Sequence, residues 1–409
     1  MTSTTLTPDM ISKRTMAVLS EKAQFVGSIN RDYEKEFGKT PKIGDSFRIR
    51  MPIDPIVVEG KVMPDTIPEY VDRNQRITID SRFHIPMDFD MADLKLDIDE
   101  FTERFIDPSA SKMAARIEQD IIRRATLATA NYVGTPGVPL NDLAVPLDAR
   151  AKLAQNLIPD GVAPNILLST RQSTRMVKAL AGLFNDQGKI GNQYSDGRMV
   201  RAAGFGWRES ESITTHTNGT ATNGTVTANV ATNGATTIGM SGLGANGTIK
   251  AGSVFVIGTS ANGVFAIHPE TKAVFDGELQ QFVVTADVTA NSTGVAASVP
   301  IFPAIYFDPA AQWQNVSRAP AATNVVTWVG APSSITQNAL AYIKSAFSVA
   351  FVELPKPEGV HFASTVTHDG ISLRVIRDYD PKHDRIISRM DVMYGFKAVR
   401  PEWACRIAG

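Results

Sequence analysis

The sequence predicts an α+β fold with an all-β domain inserted into its second half. Three observations carry this. Stretches of alternating apolar and polar residues lie before residue 100 and after residue 370; one long amphipathic helix lies between them; and the Thr/Asn/Gly tract "TTHTNGTATNGTVTANVATNGATTIGM" has strand character, although no Asp, Glu, Lys or Arg occurs between Glu211 and Lys250. At 409 residues the chain has room for two or three domains, taking about 150 residues per domain.

The first forty residues combine a helix-compatible stretch, Thr15 to Phe25, with the charged "NRDYEKEFGK", and read as an arm carrying a helix. From Ile43 to Asp99, "IGDSFRIRMPIDPIVVEG" and "RNQRITIDSRFHIPMDFDM" alternate, with Phe47 and Ile49, then Ile77 and Ile79, on one side. These are expected to be two strands. The prolines of "KVMPDTIPEY" between them cannot donate to a ladder, so a long excursion joins the strands and not a tight turn.

The clearest helix is "DPSASKMAARIEQDIIRRATLATANY". Asp107 suits the N-cap and Pro108 the first helical position, while Met113, Ile117 and Ile121 recur every four residues and Ala125 and Ala128 extend the stripe. Arg116, Asp120 and Arg124 place opposite charges at i,i+4 on the polar face. Next, "LDARAKLAQNLI" reads as a helix and "NILLS" as a buried strand, and Ser169 with Gln172 forms a capping box for the helix "TRQSTRMVKALAGLF". Near the C-terminus, Ile371, Leu373 and Val375, the turn "DYDPKHD", and Met390, Val392 and Tyr394 predict a long antiparallel pair.

The uncharged tract is therefore read as one wall of a domain and not as a linker: Val226, Val230 and Ile238 punctuate it, and it leads into the β-rich "SVFVIGTSANGVFAI" and "GELQQFVVTADVT". Asn-Gly and Asp-Gly pairs mark its turns. The inserted domain is expected over residues 213–302.

Chemistry has no evident home. Formal net charge is -1, from 41 basic and 42 acidic residues, which does not point to a nucleic-acid or membrane-surface binder. No apolar run is long enough to cross a bilayer, and the N-terminus lacks the apolar core of a signal peptide. A single cysteine, Cys405, excludes an intrachain disulfide and is read as a packing residue. Gly242, Gly244 and Gly247 have dinucleotide-motif spacing but precede a strand and open no helix. Asp378, Asp380 and Asp384 lack the glycine and terminal Glu of a calcium loop. His361 and His368, seven apart, suit no usual metal spacing. No metal or other cofactor is called for.

Three stretches, "NALAYIKSAFSVAFVELPKPEG", "GISLRVIRDYDPKHDRIISRMDVMYGFKAVRPEWACRI" and "AGSVFVIGTSANGVFAIHPETKAVFDGELQQFVVTA", resemble the major capsid proteins of tailed double-stranded DNA phages, specifically the podovirus P-twenty-two-type coat family. The resemblance implies the Hong Kong 97 capsid fold: an N-terminal arm (1–42), an extended two-stranded loop (43–100), a peripheral domain with a spine helix (101–139), an axial domain (140–212 and 303–409) and an inserted β-barrel (213–302). It further implies a structural, non-enzymatic protein of the virion capsid, assembled in the host cytoplasm. Its partners would be itself, in pentamers and hexamers, a scaffolding protein and a portal, around DNA bound without sequence specificity.

A projecting two-stranded ribbon is marginal alone and needs a neighbour. Arg48, Arg50, Asp54 and Glu59 on the loop, with Arg116, Asp120 and Arg124 on the spine, are therefore the candidate subunit-interface residues. Three alternatives stay open on the sequence: an encapsulin-like compartment shell, a metal-dependent soluble enzyme using His361, His368 and Asp369, and a surface-binding adhesin.

Overall fold

The structure is a computed structural model, and it describes residues 24–32, 46–55, 57, 70, 72–90, 107–159, 161–180, 201–360, 362–368, 371–383 and 385–409. The expected arm helix before residue 24, Glu59, His361, Asp369 and Asp384 lie outside the described residues. The chain divides into two compact units, one of residues 1–49, 75–122 and 347–399, the other of residues 50–74, 123–346 and 400–409.

The first unit is built on a five-stranded antiparallel sheet. Its longest strand, Arg385–Ala398, pairs along one side with Ile371–Asp380 and then Phe347–Phe351, and Phe362–His368 lies beyond Ile371–Asp380. The predicted C-terminal pair is thus present, turning at Pro381–His383. Along the other side of Arg385–Ala398 runs Ser81–Asp90, in register from Arg385 opposite Asp90 to Tyr394 opposite Ser81. This corrects the expected ribbon: "FHIPMDF" is a sheet strand, and Ser46–Arg50 pairs with Asn74–Thr78 instead. Alternation assigns the faces of a strand but not its partner, and only a break near Asp80 separates the two strands. Pro86 is tolerated because Ser81–Asp90 has no further described strand beyond it.

The short helix α1 (Gln24–Ser28) buries Phe25 and Val26. Helix α2, the predicted spine, spans Asp107–Ala128. Within the first unit its stripe of Ala110, Met113, Ala114, Ile117 and Ile121 is at most 2% exposed. Glu118 is also buried, and its Oε1 accepts a hydrogen bond from the Phe25 N–H at 3.4 Å.

In the second unit a six-stranded sheet runs in the order Tyr132–Val133, Ala404–Ile407, Ala339–Tyr342, Asn165–Leu168, Phe205–Glu209, Arg201–Ala202. Helices α3 (Ala144–Gln155) and α4 (Thr170–Leu180) supply Ala149, Leu153 and Met176 to a core shared with Ile166, Leu168, Cys405 and Ile407. The predicted capping box is formed: the Gln172 N–H donates to Ser169 Oγ at 3.3 Å and the Ser169 N–H to Gln172 Oε1 at 3.1 Å.

The uncharged tract is indeed a domain wall. Gly224–Val226 and Ala235–Ser241 from it join Val254–Ile257, Gln281–Val284, Ala296–Ile305 and Val325–Trp328 in a closed barrel, and closure leaves no free sheet edge. Val226 and Ile238 enter a core centred on Phe255 and Phe282, whose rings lie 5.7 Å apart. Short amides in the tract satisfy backbone groups elsewhere in the barrel. Asn223 Oδ1 accepts from the Trp328 N–H at 3.0 Å, and Asn233 Oδ1 from the Phe307 N–H at 2.9 Å.

The barrel runs past the expected boundary at residue 302, because Val325–Trp328 is one of its strands. A long proline-containing excursion separates "NVVTWVG" from the earlier strands, so no local pattern ties it to them. Thr215–Thr217 pairs with Ile335–Gln337 in a two-stranded neck where the chain enters and leaves this domain. Asp276-Gly277 is not a hairpin turn: it lies inside Val274–Leu279, with Gly277 at φ +73°, beside an irregular pairing with Phe265–Ile267.

Candidate functional site, an assembly surface

Ser46–Arg50 and Asn74–Thr78 form a two-stranded ribbon, and the period of two sorts its residues. Ile49 and Ile77 are buried, while Arg48 and Arg50, either side of Ile49, are exposed on the opposite face. Beyond the ribbon, Ile53 and Val57 are exposed to 55% and 85%, an apolar surface that the chain itself leaves open to solvent.

The structure distributes the other sequence-predicted residues. Asp54 lies 3.8 Å from the Lys272 ammonium of the same chain. On α2, Arg116 is exposed and donates to Gln119 Oε1 at 2.7 Å, whereas Asp120 accepts the Tyr394 hydroxyl at 2.9 Å. Arg124 is half-buried. Thus, among the described candidates, Arg48 and Arg50 are the two brought together on one exposed face of the ribbon.

Two buried charge centres were missed by sequence reasoning. In the first unit, Asp391 is fully buried among arginines: Arg374 and Arg389 each donate to it at 2.7 Å, and Arg82 approaches to 3.4 Å. Burial alone would raise its carboxyl pKa, but the hydrogen bonds of Arg374 and Arg389 and the charges of Arg389 and Arg82 prevail and lower it.

In the second unit, Arg406 is 1% exposed and has no carboxylate bonded to it among the described residues. Its guanidinium donates to carbonyls: Nε to Thr129 at 2.8 Å, Nη1 to Gly252 at 2.6 Å, and Nη2 to Thr129 and to Leu127. Leu127 and Thr129 mark the end of α2, where unpaired carbonyls and the helix dipole favour a cation. Burial pushes the guanidinium down to about 10. One side chain therefore joins the spine-helix terminus to the barrel turn at Gly252. Nearby, the Gln281 amide spans both backbone groups of Tyr132, accepting from its N–H at 2.7 Å and donating to its carbonyl at 2.8 Å.

His216, in the neck, is packed near Gly252, and its Nε2 is buried without a partner. Burial, then the charge of Arg406, lowers its pKa to about 4, against smaller opposing effects of Asn218 and Asp287. A folded-state pKa below the usual value of 6.5 means that the unfolded chain binds the proton more tightly. The unassembled subunit is expected to lose on the order of 2 kcal/mol as pH falls from about 6.5 to about 4, and no more from this group below that. Urea unfolding across that window checks it; His216→Gln should flatten the slope.

Among the described residues no group of three metal-ligating side chains occurs and no helix is long and apolar enough to cross a membrane. Burial pushes the Cys405 thiol up to about 12, which leaves little thiolate for nucleophilic chemistry. The Gly242–Gly247 turn is followed by the strand Thr248–Ile249 and not by a helix.

The sequence profile of the family described as "P22 coat protein - gene protein 5" matches residues 71–409. The chain belongs to the P22 coat protein family. It is thus a phage major capsid protein with the α+β Hong Kong 97-like fold, structural in role, whose copies associate into the icosahedral shell of the virion. Solved structures similar to this coat protein include one from Mycobacterium phage Che8, at 11% identity and TM-score 0.47, covering 93% of this chain and 88% of that one. The capsid of Cyanophage P-SCSP1u is 12% identical with TM-score 0.46, covering 90% and 84%. The capsid of an empty GTA particle is 9% identical with TM-score 0.42, covering 95% and 89%. No match is found among curated proteins.

Proposed function

We propose that this coat protein closes, through pentamers and hexamers, around packaged double-stranded DNA. A scaffolding protein and a portal assist it, and assembly takes place in the host cytoplasm. The family match over residues 71–409 is the observation that carries the reading. Near-neutral net charge suits it, since a strongly basic lining would grip the genome's phosphates and hinder its entry and exit.

In this reading the exposed ribbon face with Arg48 and Arg50, and Arg116 on the spine, meet acidic groups of neighbouring copies. Arg124, Asp120, Asp54 and Glu59 belong to the same proposed interface. Asp120 and Asp54 would contribute through the positions they already fix at Tyr394 and Lys272. The barrel stands on the outer surface and supports contacts between capsomers.

The neck gives the deletion that tests the barrel's part, because the Asn218 N–H donates to the Ser334 carbonyl at 3.0 Å and a short glycine bridge can close the gap. Shells lacking residues 219–333 are expected to be absent or aberrant by electron microscopy. Normal shells from that variant would remove the barrel from assembly.

A further inference from the structure

Just past the paired strands of the ribbon, the Met51 N–H donates to the Arg73 carbonyl at 2.9 Å. Side chains on either side of this bond reach the inserted domain. On the returning strand, the Arg73 guanidinium lies 4.2 Å from the centroid of the Trp313 ring and 5.6 Å from that of Tyr306. On the outgoing strand, Asp54 lies 3.8 Å from Lys272 Nζ. Lys272 Nζ also donates to the carbonyl of Gln312, next to Trp313, at 3.4 Å. The two contacts fall on two loops of the inserted domain, which the Lys272–Gln312 hydrogen bond ties to each other.

We propose that Arg73, with Asp54 and Lys272, is an intrachain clamp by which the inserted domain holds residues 51–54 and 72–73, next to the ribbon strands, before assembly. The chemistry favours a positioning role. A planar guanidinium stacks on an indole face without the full dehydration cost of an ammonium, and the ion pair on the other strand prevents rotation about a single contact. Sequence distance explains why such a device is useful. The contacting residues are more than two hundred positions apart, so without these contacts residues 51–54 and 72–73 would lose conformational entropy only when a neighbour captures them, and association would carry that cost. In the clamped state Ile53 and Val57 are already held out in solvent. Arg73 and Lys272 are accordingly positioning residues, and their link to assembly rests on the coat-protein reading above.

The test separates the clamp from that reading. Hydrogen exchange on the unassembled full-length subunit is expected to be about two- to fivefold faster at residues 51–54 and 72–74 in Arg73→Ala than in wild type, the range a cation–π contact near the surface supports. Lys272→Ala should accelerate residues 51–54 independently, which keeps the proposal testable if one variant folds poorly. Arg73→Lys, which retains charge but not the flat stack, should fall between. The subunit concentration needed for scaffold-assisted assembly should rise in Arg73→Ala by a similar factor. Wild-type exchange in both alanine variants overturns the clamp. Faster exchange with an unchanged assembly threshold overturns its role in assembly. A wild-type subunit that never assembles refutes the coat reading instead and leaves the exchange result standing.

Discussion

Arg406→Ala is expected to cost about 3–5 kcal/mol in urea unfolding of the unassembled subunit, enough to leave much of the protein insoluble on expression. The guanidinium satisfies the carbonyls of Leu127, Thr129 and Gly252 in a site that water does not reach. Deleting it strands those acceptors and leaves a large void. Arg406→Lys should recover only part of the loss, since an ammonium cannot serve the carbonyls of the helix end and the barrel turn with one planar fork. Arg406→Met, which fills the volume but donates nothing, separates packing from hydrogen bonding. If Met restores wild-type stability, the carbonyl contacts contribute little and the cation at the helix terminus is incidental.

The second large effect belongs to Asp391. Asp391→Ala removes the carboxylate shared by Arg82, Arg374 and Arg389, leaving buried positive charge uncompensated, at a cost of about 3–5 kcal/mol. Asp391→Asn keeps the shape and should cost less. Because its folded pKa is lowered, the stability it contributes is present above the ordinary carboxylate pKa, near 3.8, and is lost as pH falls through the lower folded value. Acid unfolding should thus show two windows: a shallow decline above pH 4 from His216, and a steeper one below it that Asp391→Asn reduces. A variant with the wild-type acid limb would show that other carboxylates control it.

Local order was legible wherever the pattern was local. Met113, Ile117 and Ile121 fall on one face of a helix whatever lies opposite, and all three are buried. Ser169 and Gln172 cap α4 through bonds spanning three residues. Pro381 and its neighbours turn the chain so that Asp380 meets Arg385. Partner choice was not legible. Ser81–Asp90 alternates as a ribbon strand would, yet it pairs with residues some three hundred positions away, and Val325–Trp328 is tied to the barrel by contacts no short window contains.

The charge centres were hidden for a related reason. Arg406 in "WACRI" and Asp391 in "SRMDVMYGF" look like ordinary strand residues, because burial of a strand on both faces is a property of the assembled sheet. The sole local signal was a charge set between apolar neighbours. Among the candidate interface residues, alternation correctly placed Arg48 and Arg50 outward, while the engagement of Asp54 by Lys272 depends on the inserted domain.

The most direct test of the central claim is to produce the chain alone and with a candidate scaffolding protein, and to examine the products by sedimentation and negative-stain electron microscopy. The account predicts closed shells with scaffold, tubes or aberrant shells without it, and subunits that separate in hot SDS to a single 44.2 kDa band. A stable monomer or dimer under every condition, scaffold included, would contradict it.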